Sequence, residues 1–442
     1  MKRFFALCSL LLLLAAGFTS CSDDAQPIPS SIQFDGDFKA KPTKTSIVKF
    51  TATADLKDFA VKEAPENWQV TLDQEAKTIE VTPSANAYGT HQIVLCAQSL
   101  AGEQIEAVLS IPIAEMSTPE SVYVLNENSW APGSLTYIDE DGDAFTEVYN
   151  AKNNEQLGVT TEDMFFRNGK IYIIAMDGTL TVADAKTMVK IDSFNLYLSN
   201  SSHIAVFDDE NIYVRDDKGL HLFNSTTKSL TPVEGMDYAP KNPMLIIGDK
   251  LYVAGGLLHQ IVKGETKIAK QSSYTHVSAI AKADDGMLYV ATSRDFLDNS
   301  IASTIKKVNP ETLEVIEEHE IKELNLEHGY EASNSISVRG NMIFYSGTKA
   351  TIWRHDFATR QTKMLFDASK NEQTYPQGIT YNTVAVHPVT GYVYMNRISG
   401  YGTYDQNKII VLQDMGEKLE ILKIYDNLTA FPAGIFFATS EE

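Results

Sequence analysis

Apolar and polar residues alternate in short runs from about residue 31 to the end of the chain, and Gly, Asp and Asn punctuate the runs. A period of two puts one face of a segment in a core and the other in solvent, so these runs predict strands. One run recurs: Lys170-Ile171-Tyr172-Ile173, Asn211-Ile212-Tyr213-Val214, Lys250-Leu251-Tyr252-Val253 and Met287-Leu288-Tyr289-Val290. Taking its aromatic as reference gives Tyr123, Tyr172, Tyr213, Tyr252, Tyr289, Phe344 and Tyr394. A tight-turn pair precedes most copies, as in Asn168-Gly169, Gly248-Asp249 and Asp285-Gly286. A second turn follows each third strand, at Asp184-Ala185-Lys186-Thr187, Asn224-Ser225-Thr226-Thr227 and Asn309-Pro310-Glu311-Thr312.

Self-similar units of this length that each carry about four strands predict a β-propeller. Seven reference aromatics predict seven blades over 121–442. The first unit begins at its Tyr strand and lacks an innermost strand, whereas Ala433-Gly434-Ile435-Phe436-Phe437 at the far end has the pattern of one. Pairing these two removes an open sheet edge and locks the ring. Residues 31–116 differ, with five alternating segments at roughly ten-residue spacing, which predicts a small immunoglobulin-like β-sandwich. The fold class is all-β throughout.

The N-terminus reads as an export signal over 1–20, with Lys2 and Arg3 before an apolar run from Phe4 to Ala16 that is too short to span a bilayer. Phe18-Thr19-Ser20-Cys21 resembles a lipobox, which implies lipidation at Cys21, and 21–30 then reads as a tether. With Cys8 in the signal and Cys21 at the anchor, Cys96 is left alone and is expected to be a small buried apolar residue. The net charge of −21 argues against binding a nucleic-acid backbone, which needs clustered Lys and Arg.

Candidate chemistry sits in the loops that would ring one propeller face. They supply Glu127 and Trp130, Tyr238, Tyr274 and His276, Arg294 and Phe296, Tyr330, Tyr375, Arg397, Tyr401 and Tyr404. An aromatic rim of this kind suits stacking on a planar or ring-shaped ligand at low entropic cost. Asp139, Asp141 and Asp143 have the spacing of a calcium loop, but Ala144 and Asn150 occupy its sixth and twelfth positions, so Gly142 marks a hairpin. No zinc-type His or Cys set, nucleophile elbow, P-loop or dinucleotide fingerprint is present in the sequence. The reading is therefore of a binding protein, with no catalytic residue, metal or cofactor assigned.

Val122-Tyr123-Val124-Leu125-Asn126-Glu127, Gly133-Ser134-Leu135-Thr136-Tyr137-Ile138-Asp139 and Gly169-Lys170-Ile171-Tyr172 together resemble the YncE-like seven-bladed propeller lipoproteins of the Bacteroidota, a group that includes the cobalamin-capturing BtuG proteins. The resemblance covers roughly 121–442. It implies a lipid-anchored outer-membrane protein facing the exterior, which captures a corrinoid or other metal chelate such as haem or a siderophore. It further implies hand-over to a TonB-dependent transporter. An adhesion or glycan-binding propeller using the same face is the alternative.

Overall fold

The computed structural model describes residues 29–438 apart from residues 37, 238–243, 295–301, 327–334 and 348. Cys21, Tyr238, Phe296 and Tyr330 lie outside the described residues. The chain is all-β, as its period-two patterning predicts. Two sheets form the N-terminal part. In one, Ile32–Phe34 pairs with Ser46–Ala52, which continues through Thr78–Thr82 to Gln69–Asp73; in the other, Thr90–Ser99 lies between Leu56–Glu63 and Gln104–Pro112. Their inward faces share one core built around Val48, Phe50, Ile79, Val81, Ile93, Leu95 and Ile111. Cys96 is half-buried, not buried as expected, because it falls on the outer phase of its strand with its thiol toward the Ala60 carbonyl.

From Val122 onward the strands form a propeller-like series of antiparallel sheets. Thr161–Arg167 to Lys190–Asn195, His203–Asp208 to Ser229–Pro232, Ser337–Arg339 to Gln361–Asp367, and Ile379–Val386 to Leu419–Asp426 each contribute four strands in chain order. In another sheet the order is broken, because the last strand, Pro432–Phe437, pairs with Val122–Asn126. The register sets Ile435 opposite Val124 and Phe436 opposite Tyr123, the partnership expected from the sequence. Innermost strands touch in sequence: Pro432–Phe437 packs on Thr161–Arg167, then His203–Asp208, Met244–Ile247, Lys270–Lys282, Ser337–Arg339, Ile379–Val386, and back to Pro432–Phe437.

Two departures from the repeat have local causes. Where two separate four-stranded sheets are expected, one six-stranded sheet runs from Met244–Ile247 to Val315–Ile321. Gly255-Gly256 is taken up as an irregularity, with Gly256 at φ 76° and register shifts just after it, so Lys250–Val262 bends without ending, and Tyr274-Thr275-His276 carries no turn residue to break Lys270–Lys282. In the sheet of Val122–Asn126, the outermost strand shrinks to Ala144–Phe145 and a short helix, Val148–Asn153, takes its place against the core.

The recurrent tyrosines are buried framework. Tyr172 donates to Asp209, Tyr213 to the Glu265 carbonyl, Tyr252 to the Pro310 carbonyl and Tyr289 to Asn341, so each hydroxyl ties its own repeat to the following one. Burying a tyrosine requires a partner for its hydroxyl, and the turn chemistry of the neighbour supplies one. The recurrent Asp and Asn after each third strand close Asx turns: Asp184, Asn224, Asn309 and Asp356 each accept from backbone N–H groups two and three residues on.

Asp139 closes the same turn, accepting from the N–H groups of Asp141 and Asp143. The Asp139–Asp143 hairpin meets a cation from its own chain: Lys41 of the N-terminal sheets contacts Asp139 at 2.7 Å, Asp141 at 2.6 Å and Asp143 at 3.3 Å. Burial pulls the Lys41 pKa down, but hydrogen bonds to the three carboxylates outweigh it and hold the ammonium raised. The contact continues through Lys152 to the Ala87 carbonyl and Met116 N–H to the Lys186 carbonyl. Lys41→Ala is expected to lower the thermal midpoint by about 1 °C, the size of about 1 kcal/mol in a chain of this length. It is also expected to speed cleavage near residues 114–120 in limited proteolysis; an unchanged digestion pattern would show that the other contacts hold the two parts alone.

A second junction, between Val315–Ile321 and Thr351–Asp356, holds a histidine pair. His319 Nδ1 and His355 Nε2 are 2.8 Å apart, His355 Nδ1 is 2.9 Å from Thr362 Oγ1, and His319 Nε2 is 3.0 Å from Glu317. With both rings neutral every group in this chain is satisfied: His319 Nε2–H donates to Glu317, His355 Nε2–H donates to His319 Nδ1, and His355 Nδ1 accepts from the Thr362 hydroxyl, a bond that a second proton on His355 would remove. Burial, reinforced by the neighbouring His319, pushes the His355 pKa from 6.5 to about 4. The folded state thus prefers neutral His355, and its contribution is complete above pH 6.5 and lost as pH falls through 6.5 toward 4. Thermal melts across this window are expected to drop more steeply for the parent than for His355→Gln, which cannot titrate; parallel slopes would remove His355 as the cause.

Candidate functional site

The loops entering the innermost strands share a backbone device. Thr160, His276 and Phe431 have φ of 55°, 59° and 50°, and each is followed by a register shift in the ladder, at Thr161/Asp163, Val277/Ala279 and Pro432/Gly434. A bulge leaves one residue out of the pairing and re-aims its side chain. At the first of these the freed residue is Glu162, which is 1% exposed.

Glu162 lines a cleft of about 340 Å³ together with Glu127, Ser129, Thr160 and Met176, and with the rings of Trp130, Tyr381, Tyr401 and Phe431. The Tyr381 hydroxyl lies 3.1 and 2.9 Å from the two oxygens of Glu127. Tyr381 packs on Phe431 with ring centroids 5.1 Å apart, and edge-on to Tyr401 at 6.5 Å. The other face of Phe431 is backed by Tyr404, stacked at 4.1 Å. Six separated chain segments, 127–130, 160–162, 176, 381, 401–404 and 431, therefore converge on one aromatic, carboxylate-bearing space.

The loop bearing Trp130 is held tightly. Gly133 N–H bonds the Gly158 carbonyl, Thr160 N–H bonds the Ala131 carbonyl, and Thr161 Oγ1 donates to the Asn126 carbonyl at 2.7 Å. A Cβ at Gly133 would sit 2.2 Å from Thr161 Oγ1, so only glycine permits this approach. Along this loop Asn128, Ser129 and Trp130 run consecutively at φ of 56°, 46° and 65°. The left-handed region costs a residue with a side chain roughly 1–2 kcal/mol. The result is an indole that is 76% exposed, fixed at the mouth of the cleft.

The sequence-predicted rim residues separate into groups. Trp130 and Tyr401 line the cleft, and Tyr404 supports it from behind Phe431. Tyr274 and His276 line a different groove of about 510 Å³ with Lys306, Glu318 and Glu320. Arg294 is bound to the Lys322 carbonyl and, through its N–H, to Asn325. Tyr375 lies under the Lys408 ammonium, 4.8 Å from its ring centroid. Arg397 is not on the rim: it is 0% exposed and its guanidinium binds the carbonyls of Thr374, Tyr375 and Gly378 and the Thr380 hydroxyl. It serves as an internal tie for the 374–380 turn.

Thr160, Glu162, Tyr381 and Phe431 were not selected from the sequence. Each stands beside or within a strand-like run, where a framework role is the ordinary reading, and only the bulges and turns bring them into one space. Among the described residues no group of three His, Cys, Asp or Glu side chains could hold a metal ion.

A family model described as a domain of unknown function, DUF5074, matches residues 120–438. No curated protein matches the sequence. Among solved structures, a quinoprotein alcohol dehydrogenase-like protein from Bacteroides thetaiotaomicron is similar over 90% of this chain and 96% of its own, with 13% identity and a TM-score of 0.59. A dihydro-haem d1 dehydrogenase solved with its ligand is similar over 76% of this chain and 68% of its own, at 12% identity and a TM-score of 0.48. The first likeness is one of fold.

Proposed function

The chain belongs to the DUF5074 family, and since the matched region spans the whole series of propeller-like sheets, we propose that it is a capture protein whose ligand enters the cleft beside Trp130. The finer architecture in this reading is a seven-bladed ring of YncE-like type preceded by an immunoglobulin-like module. The circular order of innermost strands and the pairing of Pro432–Phe437 with Val122–Asn126 support the ring; the paired N-terminal sheets around one core support the module. Lipidation at Cys21 would hold the protein on the outer membrane facing outward, and tethering beside a TonB-dependent transporter would raise the local concentration of captured nutrient.

The observation that carries the reading is one cleft with an exposed, backbone-constrained Trp130, three further rings, and two buried carboxylates. Carboxyl oxygens accept hydrogen bonds. A matching ligand must bring donors and an apolar face. A corrinoid, with its peripheral amides, meets that demand better than haem, whose carboxylates are acceptors too. At about 340 Å³ the cleft takes one edge of such a ligand and leaves the remainder outside. Glycan binding is the second reading, favoured by the exposed indole beside carboxylates, a surface suited to the apolar face and the hydroxyls of a sugar.

Calorimetric titration of the purified full chain with cobalamin, haem and a ferric siderophore, alongside a glycan array, tests this. Binding of a corrinoid is the expected result, and glycan binding alone would select the second reading. Because Glu127 and Glu162 share the cleft, products are examined too: turnover of any bound glycan would replace capture with hydrolysis.

A further inference from the structure

Resting on the capture reading above, we infer that the cleft is a subsite for a hydroxylated sugar ring, furanose or pyranose, stacked on Trp130. The observation that points to it is Thr160. Its side chain is 6% exposed, lines the cleft, and its Oγ1 has no hydrogen-bond partner among the described residues. A buried hydroxyl without a partner is costly, and at a residue that lines a cleft an occupant can supply one. A hydroxyl both donates and accepts, so the complementary group is another hydroxyl or a similarly bifunctional one.

The surrounding residues fit the same occupant. Ser129 adds a second hydroxyl, and Glu127 and Glu162 line the same cleft. Trp130 offers the flat apolar surface on which the C–H face of a sugar ring packs. Acceptors and hydroxyls in a ring around an indole match a vicinal diol. They do not match an aliphatic chain, which would leave them unpaired, or an anion, which would meet two carboxylates.

A hydroxylated ring reaches this cleft from two sources, the ribose in the nucleotide portion of a complete corrinoid or the terminal residue of a glycan. The full chain is titrated with cyanocobalamin, with cobinamide, which lacks that nucleotide, and with oligosaccharides that score on an array. The corrinoid source predicts cobinamide about tenfold weaker than cyanocobalamin, equal to about 1.4 kcal/mol. The glycan source predicts oligosaccharide binding with neither corrinoid held. In either case Thr160→Val, which keeps the β-branched shape and removes only the hydroxyl, weakens binding about tenfold, and Thr160→Ser restores it. An unchanged melting curve for Thr160→Val ties the loss to the site.

Equal affinity for cyanocobalamin and cobinamide, with no sugar bound, would overturn the subsite while leaving capture intact. Unaltered affinity in Thr160→Val would overturn it as well. No binding of any probe would overturn both this inference and the reading it rests on.

Discussion

Deleting the residues after Leu428 is expected to abolish cooperative folding of everything from Val122 onward. The deletion removes Pro432–Phe437 and leaves Val122–Asn126, five fully buried residues, as an uncovered inner edge. Phe436 leaves the core that holds Tyr123 and Tyr137, and Phe437 leaves its contacts with His387 and Tyr394 at 4.5 and 5.7 Å. Losing one large buried side chain costs about 3–5 kcal/mol, and a domain has only about 5–15 kcal/mol in all. Insoluble expression or a melt without a sharp transition is expected. A peptide spanning 429–438 added during refolding is expected to restore part of the transition, because the vacated edge offers matched backbone partners. A soluble truncated chain with the parent's midpoint would show that the last strand is dispensable.

Replacing Trp130 with glycine is expected to separate binding from stability in opposite directions. The indole is 76% exposed, so its removal costs little burial, and glycine relieves a left-handed backbone that disfavours side chains by roughly 1–2 kcal/mol. The thermal midpoint should therefore hold or rise by a degree or two, while affinity for the captured ligand falls at least about tenfold. Trp130→Phe should recover part of the affinity through its smaller face. If glycine lowers the midpoint and leaves affinity unchanged, the indole is a packing residue and the cleft lies elsewhere.

The sequence makes the framework legible and the site much less so, for one physical reason. Framework demands repeat: every unit must bury an aromatic and turn a hairpin, so Tyr172, Tyr213, Tyr252 and Tyr289 and the Asx turns at Asp184, Asn224 and Asn309 recur at matching places. The site has no such periodicity. Trp130 and Tyr401 are legible because they are aromatics in loops that ring one propeller face. Tyr381, Glu162 and Phe431 sit where strands begin, and only bulges and left-handed turns aim them at one space. Arg397 shows the converse error: a charged residue that invites a ligand-binding reading is fully buried, binding the carbonyls of the 374–380 turn. The merged six-stranded sheet is not legible because Gly255-Gly256, which reads as a turn, is absorbed as a bulge inside a continuous strand, and Tyr274-Thr275-His276 carries no turn residue.

The Lys41 clamp has a bearing on direction. Because successive strands are antiparallel, the Asp139–Asp143 hairpin lies at the opposite end of its sheet from the loop that carries Trp130. The N-terminal sheets grip the hairpin end, so the two parts act as a pedestal with its mouth turned away from the base. Were the chain anchored at Cys21 and the cleft to hold a ligand, as proposed, the ligand would load on the side of the propeller-like sheets away from the N-terminal part.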